Sequence, residues 1–361
     1  MQALAPQHRR TKLVHRLLAF AAAPTAVDGS VARAAVSLEA VDDCQFQWVL
    51  DAGLGPLLHR AMQHDTGAIP DKWRDMLVSA ELTAQVRHAE LVETAIETID
   101  ACEGAGTHAT LLKGISISDQ YYPAAHLRPM NDIDVLIPSS AYGAVESMLL
   151  QRGFSDSAFP HVDGLHHGAP LQHPQRNTWV ELHVALFRRG SELQFGTLFA
   201  PWNVAQRTVP AVFSHRPISR LDNELQVAYI ASSWMNDIIH VKVHPSFLPS
   251  LFDAVFLLQA AESTLDWQRL LESLDNEMAA ASVYVMLAYL SRLGLVQFPP
   301  GVVARIASRQ RLVGPLQLRF IHVMLDRHLV AGKRWSLPVP PPVPGRYSLR
   351  YHFEKRIIRA W

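Results

Sequence analysis

Two aspartates stand two residues apart inside an otherwise apolar run, Asp132-Ile133-Asp134-Val135-Leu136-Ile137, and no other feature restricts the fold of this chain as much. On a β-strand successive side chains alternate between faces. Asp132 and Asp134 therefore project to one side while Ile133, Val135 and Ile137 face a core. Two converging carboxylates with no basic residue inside the strand call for a metal. Hard oxygen ligands suit Mg²⁺ or Mn²⁺, ions that bridge to the triphosphate of a nucleotide.

The rest of the chain is compatible with a sizeable core around such a strand. About half of the 361 residues are apolar, enough for two or three packed units. Lys plus Arg balances Asp plus Glu at 33 each, which removes the bulk positive charge that would draw a whole surface to nucleic acid or anionic lipid. Any polyanion must be held locally. Cys44 and Cys102 are the only cysteines, too few for a disulfide framework or a thiolate metal site, and are expected as small buried residues in a reduced, cytoplasmic setting. Arg9, Arg10, Lys12 and Arg16 precede a short apolar run, Leu17 to Ala23. That run is too short to span a bilayer and reads as an amphipathic first helix, so no membrane insertion is expected.

Periodicity divides the chain into four. Residues 1–105 read as a helical region, in which Leu82, Val86, Ala89, Val92, Ile96 and Ile99 form one apolar stripe along a long helix. Residues 106–222 change to short apolar runs bounded by turns. A strand is expected over Ala109–Leu112, a helix over Ile115–Tyr122 and a strand over Ile133–Ile137. Next come a helix capped by Ser139 or Ser140 and a strand over Thr178–Phe187. Residues 223–335 return to helical periodicity, the last segment running from Val302 to Val330. Residues 336–361 hold a Pro-rich polyproline II spacer and a tail in which Arg346, Arg350, Lys355, Arg356 and Arg359 face the single acid Glu354.

Two further stretches carry chemistry. Lys113 and Gly114 fall at a strand-to-helix turn, where free backbone N–H groups face an anion. In Trp179-Val180-Glu181-Leu182-His183, Glu181 and His183 share one strand face. A third carboxylate there would complete a metal-binding triad.

The K-G turn, the R-P-x-x-D-h-D-h-h strand beginning at Arg128 and the E-h-H strand at Glu181 occur in the order seen in the uncharacterised nucleotidyltransferase family of the DNA polymerase β superfamily, which this chain resembles over roughly Phe46 to Pro299. The resemblance implies an α+β fold, a polymerase β-like mixed sheet core flanked by N-terminal and C-terminal helical regions. It also implies a two-metal transfer of a nucleoside monophosphate from a nucleoside triphosphate. Asp132 and Asp134 would bind Mg²⁺ or Mn²⁺, and Glu181 would complete the site and take the acceptor proton. Gly114 would let backbone approach phosphate, Ser116 would donate a hydroxyl hydrogen bond, and Lys113 and Arg128 would neutralise the departing pyrophosphate. His183 would support the ligands from behind. One departure is the turn itself, Gly114-Ile115-Ser116 in place of the superfamily's Gly-Gly or Gly-Ser.

Two other classes compete with this reading: phosphoryl transfer at the same metal site, and a catalytically decayed binding protein, motivated by Ile115. A zinc site from His240 and His244 lacks the Glu of H-E-x-x-H and runs into Pro245, and one from His161, His166, His167 and His173 has no regular ligand spacing, so solvated loop histidines are expected instead. The acceptor, whether small molecule, peptide or small RNA, is left open, because fold alone does not select it.

Overall fold

A computed structural model describes residues 13–23, 41–63, 70–156, 166–240 and 245–330. Arg9, Arg10, Lys12, His161, His244, the Pro-rich spacer and the basic tail lie outside the described residues.

In chain order the elements are α1 (Leu13–Ala21), α2 (Asp43–Asp51), α3 (Gly55–Met62), α4 (Asp71–Gly104), β1 (Thr110–Leu111), α5 (Lys113–Tyr121), β2 (Asp132–Leu136) and α6 (Tyr142–Gln151). Then follow β3 (Ser155–Asp156), β4 (Leu171–Gln172), β5 (Trp179–His183), α7 (Pro201–Gln206), β6 (Thr208–Phe213) and β7 (Arg216–Leu221). The remainder is α8 (Asn223–His240), α9 (Leu248–Ala260), α10 (Trp267–Ser273), α11 (Glu277–Leu293), α12 (Val302–Ala307) and α13 (Pro315–Met324), which runs into a π-helical segment, Leu325–Val330. The helix expected over 302–330 is thus broken. Gly314 and Pro315 interrupt it, since proline is tolerated only in a helix's first turn.

The described residues form two compact units. The first, drawn from residues 1–80, 231–259 and 277–361, is helical. In α1 the residues Leu13, Val14, Leu17 and Leu18 are buried, as an amphipathic first helix requires. Full burial of each leucine contributes about 2 kcal/mol. Phe46 stacks on Trp73 with ring centroids 4.3 Å apart, and Asp42 caps α2 by accepting from the Gln45 N–H. Cys44, expected inside, is exposed on α2, whereas Cys102 is buried.

The second unit, residues 81–230 and 260–276, is built on a seven-stranded mixed sheet in the order β3-β4-β5-β2-β1-β7-β6. β2 runs parallel to β5 and antiparallel to β1, and β1 runs parallel to β7. Ile133, Val135, Ile137, Val180 and Leu182 form one core with Leu91, Ala95 and Ile99 of α4 and Val145 and Leu149 of α6. Along α4, Leu82 and Val86 are exposed whereas Val92, Ile96 and Ile99 pack on the core, so only the second half of the stripe read from the sequence is covered. Full burial follows Leu91, Thr94, Ala95, Thr98 and Ile99, the face turned to the sheet, where the Thr94 and Thr178 hydroxyls bond at 2.9 Å. Neither Ser139 nor Ser140 caps α6, because residues Ser139–Ala141 form a 3₁₀ turn ahead of it.

β6 and β7 form an antiparallel hairpin that the sequence patterning does not signal. Pro210 and Pro217 interrupt its alternation, and its turn uses Ser214 and His215, both at positive φ (45° and 66°), in place of Asn-Gly. Beyond it, Arg207 binds Asp222 through two bonds of 2.8 Å with both side chains buried, and Arg269 adds a third.

Candidate active site

Register, more than any single strand, assembles the site. In the parallel pair β2·β5, Asp134 lies beside Glu181 and Leu136 beside His183. The face opposite the α4/α6 core therefore carries Asp132, Asp134, Glu181 and His183 together. Asp134 is almost fully buried, 3% exposed, and its Oδ1 accepts from Lys113 Nζ at 2.9 Å and from His183 Nε2 at 2.7 Å. Burial alone would raise its carboxyl, but the Lys113 ammonium and the His183 hydrogen bond hold it well below the usual carboxylate range. Reciprocally, burial would lower the Lys113 ammonium and the His183 imidazolium. The Asp134 charge outweighs burial for Lys113, and hydrogen bonds to Asp134 and Glu181 outweigh it for His183, so both are raised.

Asp134, Glu181 and His183 each offer a ligand atom, and these atoms lie within 4.8 Å of one another, the one such group of three or more among the described residues. Asp132 stands at the start of β2, outside that trio but within its field. Burial first, then repulsion from Asp134 and Glu181, pushes its carboxyl up to about 6. Three acids crowd one face with the Lys113 ammonium and the His183 ring bonded to Asp134, and the buried Nδ1 of His183 has no hydrogen-bond partner among the described residues. Carboxylate and imidazole donors at this spacing fit a divalent cation.

The anion side of the site is the start of α5. Leu112 enters in an extended conformation and makes no side-chain cap, so no N-cap side chain takes up the first N–H groups of the helix. Lys113, the first residue of α5, holds φ at 41°, a conformation costing a residue with a Cβ about 1–2 kcal/mol. The other described non-glycine residues at positive φ are the two of the hairpin turn, and Lys113 takes it where β1 gives way to α5. Gly114 is overlain by Arg128: a Cβ there would lie 2.5 Å from the Arg128 Nη1 atom. Ser116 is fully buried one turn further on, and its hydroxyl accepts from Gln120 Nε2 at 2.9 Å.

The histidine-rich stretch differs from expectation. His166 and His167 are half-buried, their rings 5.2 and 5.1 Å from the His183 ring. Burial, reinforced by the neighbouring cations and imidazoles, lowers His166 to about 3, which keeps it neutral. His173 is buried as well, its Nδ1 accepting the backbone N–H groups of Gln175 and Arg176 and its Nε2 lying 3.3 Å from Glu97. The sequence contained these histidines but not the β5 edge on which His166 and His167 sit. Two adjacent imidazoles four residues before a strand were the only available signal.

Past Leu136, at the far end of β2 and β5, a cavity of about 480 Å³ is lined by Thr110, Leu136, Pro138, Ala185, Val204 and Thr208.

Carboxylates on one sheet face thus lie beside the start of a helix that has no side-chain cap. The family of uncharacterised nucleotidyltransferases matches residues 42–294, well over half of the chain, so the chain belongs to that family and is a nucleotidyltransferase. Among solved structures it is similar to the antibiotic-resistance factor ANT(2'')-Ia, with 14% identity over 56% of this chain and 93% of that one and a TM-score of 0.34. No curated protein matches it. No described helix is long and apolar enough to cross a membrane.

Proposed function

We propose that the protein transfers a nucleoside monophosphate from a nucleoside triphosphate to a small-molecule acceptor, with Asp132, Asp134 and Glu181 holding Mg²⁺ or Mn²⁺. The observation that carries this reading is the convergence of Asp134, Glu181 and His183 on one point beside the open N-terminus of α5. Bound divalent ions supply Lewis-acid stabilisation of the attacking and leaving oxygens. The chain's own groups do the rest. Backbone N–H groups of α5 receive phosphate oxygens, Gly114 permits their close approach, and Lys113 and Arg128 offset the charge of the departing pyrophosphate.

Lys113, 2.9 Å from Asp134, would then exchange that carboxylate for phosphate. Its strained backbone supports such an exchange between carboxylate and phosphate. Glu181 takes the acceptor proton, with His183 fixing its carboxylate from 3.5 Å. Ser116 contributes its hydroxyl once Gln120 yields.

Net neutrality disfavours a long nucleic acid as acceptor. The cavity beside Leu136, two residues beyond Asp134 on the same strand face, has the size of a small-molecule pocket.

Triphosphates labelled on the α- or the γ-phosphorus, incubated with the protein, metal and a cell extract, test the proposal. Label from the α position is expected on an acceptor with release of pyrophosphate. Asp134→Ala should lower the rate by at least about 10³-fold. Transfer of γ label would establish phosphoryl transfer instead, and no transfer together with no metal-dependent nucleotide binding would establish a decayed site.

A further inference from the structure

We infer that the acceptor is an uncharged, largely apolar alcohol or phenol, whose body occupies the cavity past Leu136 and whose hydroxyl reaches the carboxylates of β2 and β5. The inference rests on the nucleotidyl-transfer reading above and adds to it the chemical class of the acceptor and the place that holds it.

Three observations lead there. First, the cavity adjoins the site along the sheet. Leu136 lines it and shares a β2 face with Asp132 and Asp134. At about 3.4 Å per residue, Leu136 stands only about 7 Å beyond Asp134. Thr110, another lining residue, lies opposite Leu136 in the β1·β2 pair, and Val184 directly follows His183, the last residue of β5. Three adjacent strands of the site's own sheet therefore border the cavity.

Second, its lining runs from the surface into the fold. Ala205 is exposed on α7 and Leu136 is half-buried on β2, whereas Val204 and Leu186 are 2% and 1% exposed. A volume of about 480 Å³ with such walls suits the body of a small molecule.

Third, the walls are without charge. Among the described residues that line it there is no Asp, Glu, Lys or Arg. The polar groups are the hydroxyls of Thr107, Thr110, Ser139 and Thr208 and the imidazole of His108, and the Thr208 hydroxyl donates to the Ala205 carbonyl at 3.0 Å. An ammonium or carboxylate placed there loses its hydration and meets no counter-charge. Hydrocarbon gains by leaving water, and an occasional hydroxyl or ether finds a partner.

In the reaction the acceptor oxygen bonds to the α-phosphorus while the bond from that phosphorus to the α,β-bridging oxygen breaks. The electron pair of the broken bond leaves with pyrophosphate, and the hydroxyl proton passes to Glu181.

Matched probes test this apart from activity. 4-Ethylphenol, tyramine and 4-hydroxyphenylacetate share one ring and one phenol but are neutral, cationic and anionic. In calorimetric titrations of the full chain, 4-ethylphenol should bind, and the two charged probes at least about tenfold more weakly. Bound Mn²⁺ should broaden the proton resonances beside the phenol hydroxyl more than those of the ethyl group. Ala205→Trp fills the cavity from α7 and should weaken 4-ethylphenol at least about tenfold while Mn²⁺ binding stays as in wild type. Thr208→Trp replaces it if that variant does not fold. No binding of 4-ethylphenol, equal or tighter binding of a charged probe, broadening strongest at the ethyl end, or affinity unchanged in the tryptophan variants overturns the inference. If Mn²⁺ still binds in that case and Asp134→Ala abolishes it, the metal-dependent reading stands without this acceptor. Failure of wild type to bind Mn²⁺ removes both.

Discussion

Gly114→Ala displaces Arg128 at the candidate nucleotide site without replacing a charged residue. The added methyl would stand 2.5 Å from Arg128 Nη1, 3.1 Å from its Cζ and 3.3 Å from Met130 Cβ. Ordinary contacts begin near about 3.5 Å, so the guanidinium must retreat by roughly 1 Å. The backbone hardly needs to move, because the tightest contact is with the end of a long side chain. Alanine in a helix gains about 1 kcal/mol over glycine and overpacking costs about 1–3 kcal/mol, so stability should change by no more than about 2 kcal/mol. Activity should respond far more: a displacement of about 1 Å in a positioning group costs on the order of 100-fold in kcat/KM, or about 2.7 kcal/mol. Arg128→Ala should cost a similar amount. Since both changes act on the same contact, the double variant should lose about 100-fold, whereas independent effects would multiply to about 10⁴-fold. The assay is transfer of α-phosphorus label with the triphosphate varied, alongside a urea melt of each variant. Wild-type kinetics in Gly114→Ala, or full multiplication in the double variant, would refute the placement of Arg128 over the phosphates.

Further outcomes follow from other parts of the fold. Asp222→Ala leaves the buried Arg207 with the more distant Glu224, 3.9 Å away, and removes the oxygen that accepts from the Leu225 N–H at the start of α8, so urea denaturation should show a loss of about 3 kcal/mol. A change below about 1 kcal/mol contradicts that reading. Burial would raise the Asp326 carboxyl, but hydrogen bonds from His15 and Arg292 hold it below its ordinary value. Its folded pKa is thus lower than its unfolded one, so its stabilisation is present above about pH 4 and is lost as pH falls through the folded value. Asp326→Asn should destabilise at pH 7, and the gap to wild type should narrow in melts at successively lower pH; a gap that widens toward acid is the contrary result. Burial pushes the Cys102 thiol up to about 12, while Cys44 is exposed. A thiol-disulfide reagent should therefore label Cys44 alone in the native protein and both cysteines in denaturant.

Part of this organisation was legible because it is local. A pleat of period two places Asp132 with Asp134 and Glu181 with His183 whatever lies around them. The helical periodicity after residue 223 likewise anticipates α8 to α11, and the strand-to-helix change at Lys113 needs only its neighbours. Local patterning misled where a neighbour decided the outcome. Leu82 and Val86 keep helical spacing with Ile96 and Ile99, yet the sheet lies against Leu91 and Ala95, and the apolar residues at 82 and 86 face solvent.

The sequence by itself determined which residues share a strand face and where strands give way to helices, since backbone sterics and side-chain alternation act within a few residues. The tertiary structure alone decided that Asp134 lies beside Glu181 across β2 and β5, that Lys113 reaches Asp134, and that His166 and His167 meet His183. Those pairings join segments tens of residues apart. Their register is selected by the burial of Ile133, Val135, Val180 and Leu182 in one core, a cooperative outcome that no single stretch of sequence carries.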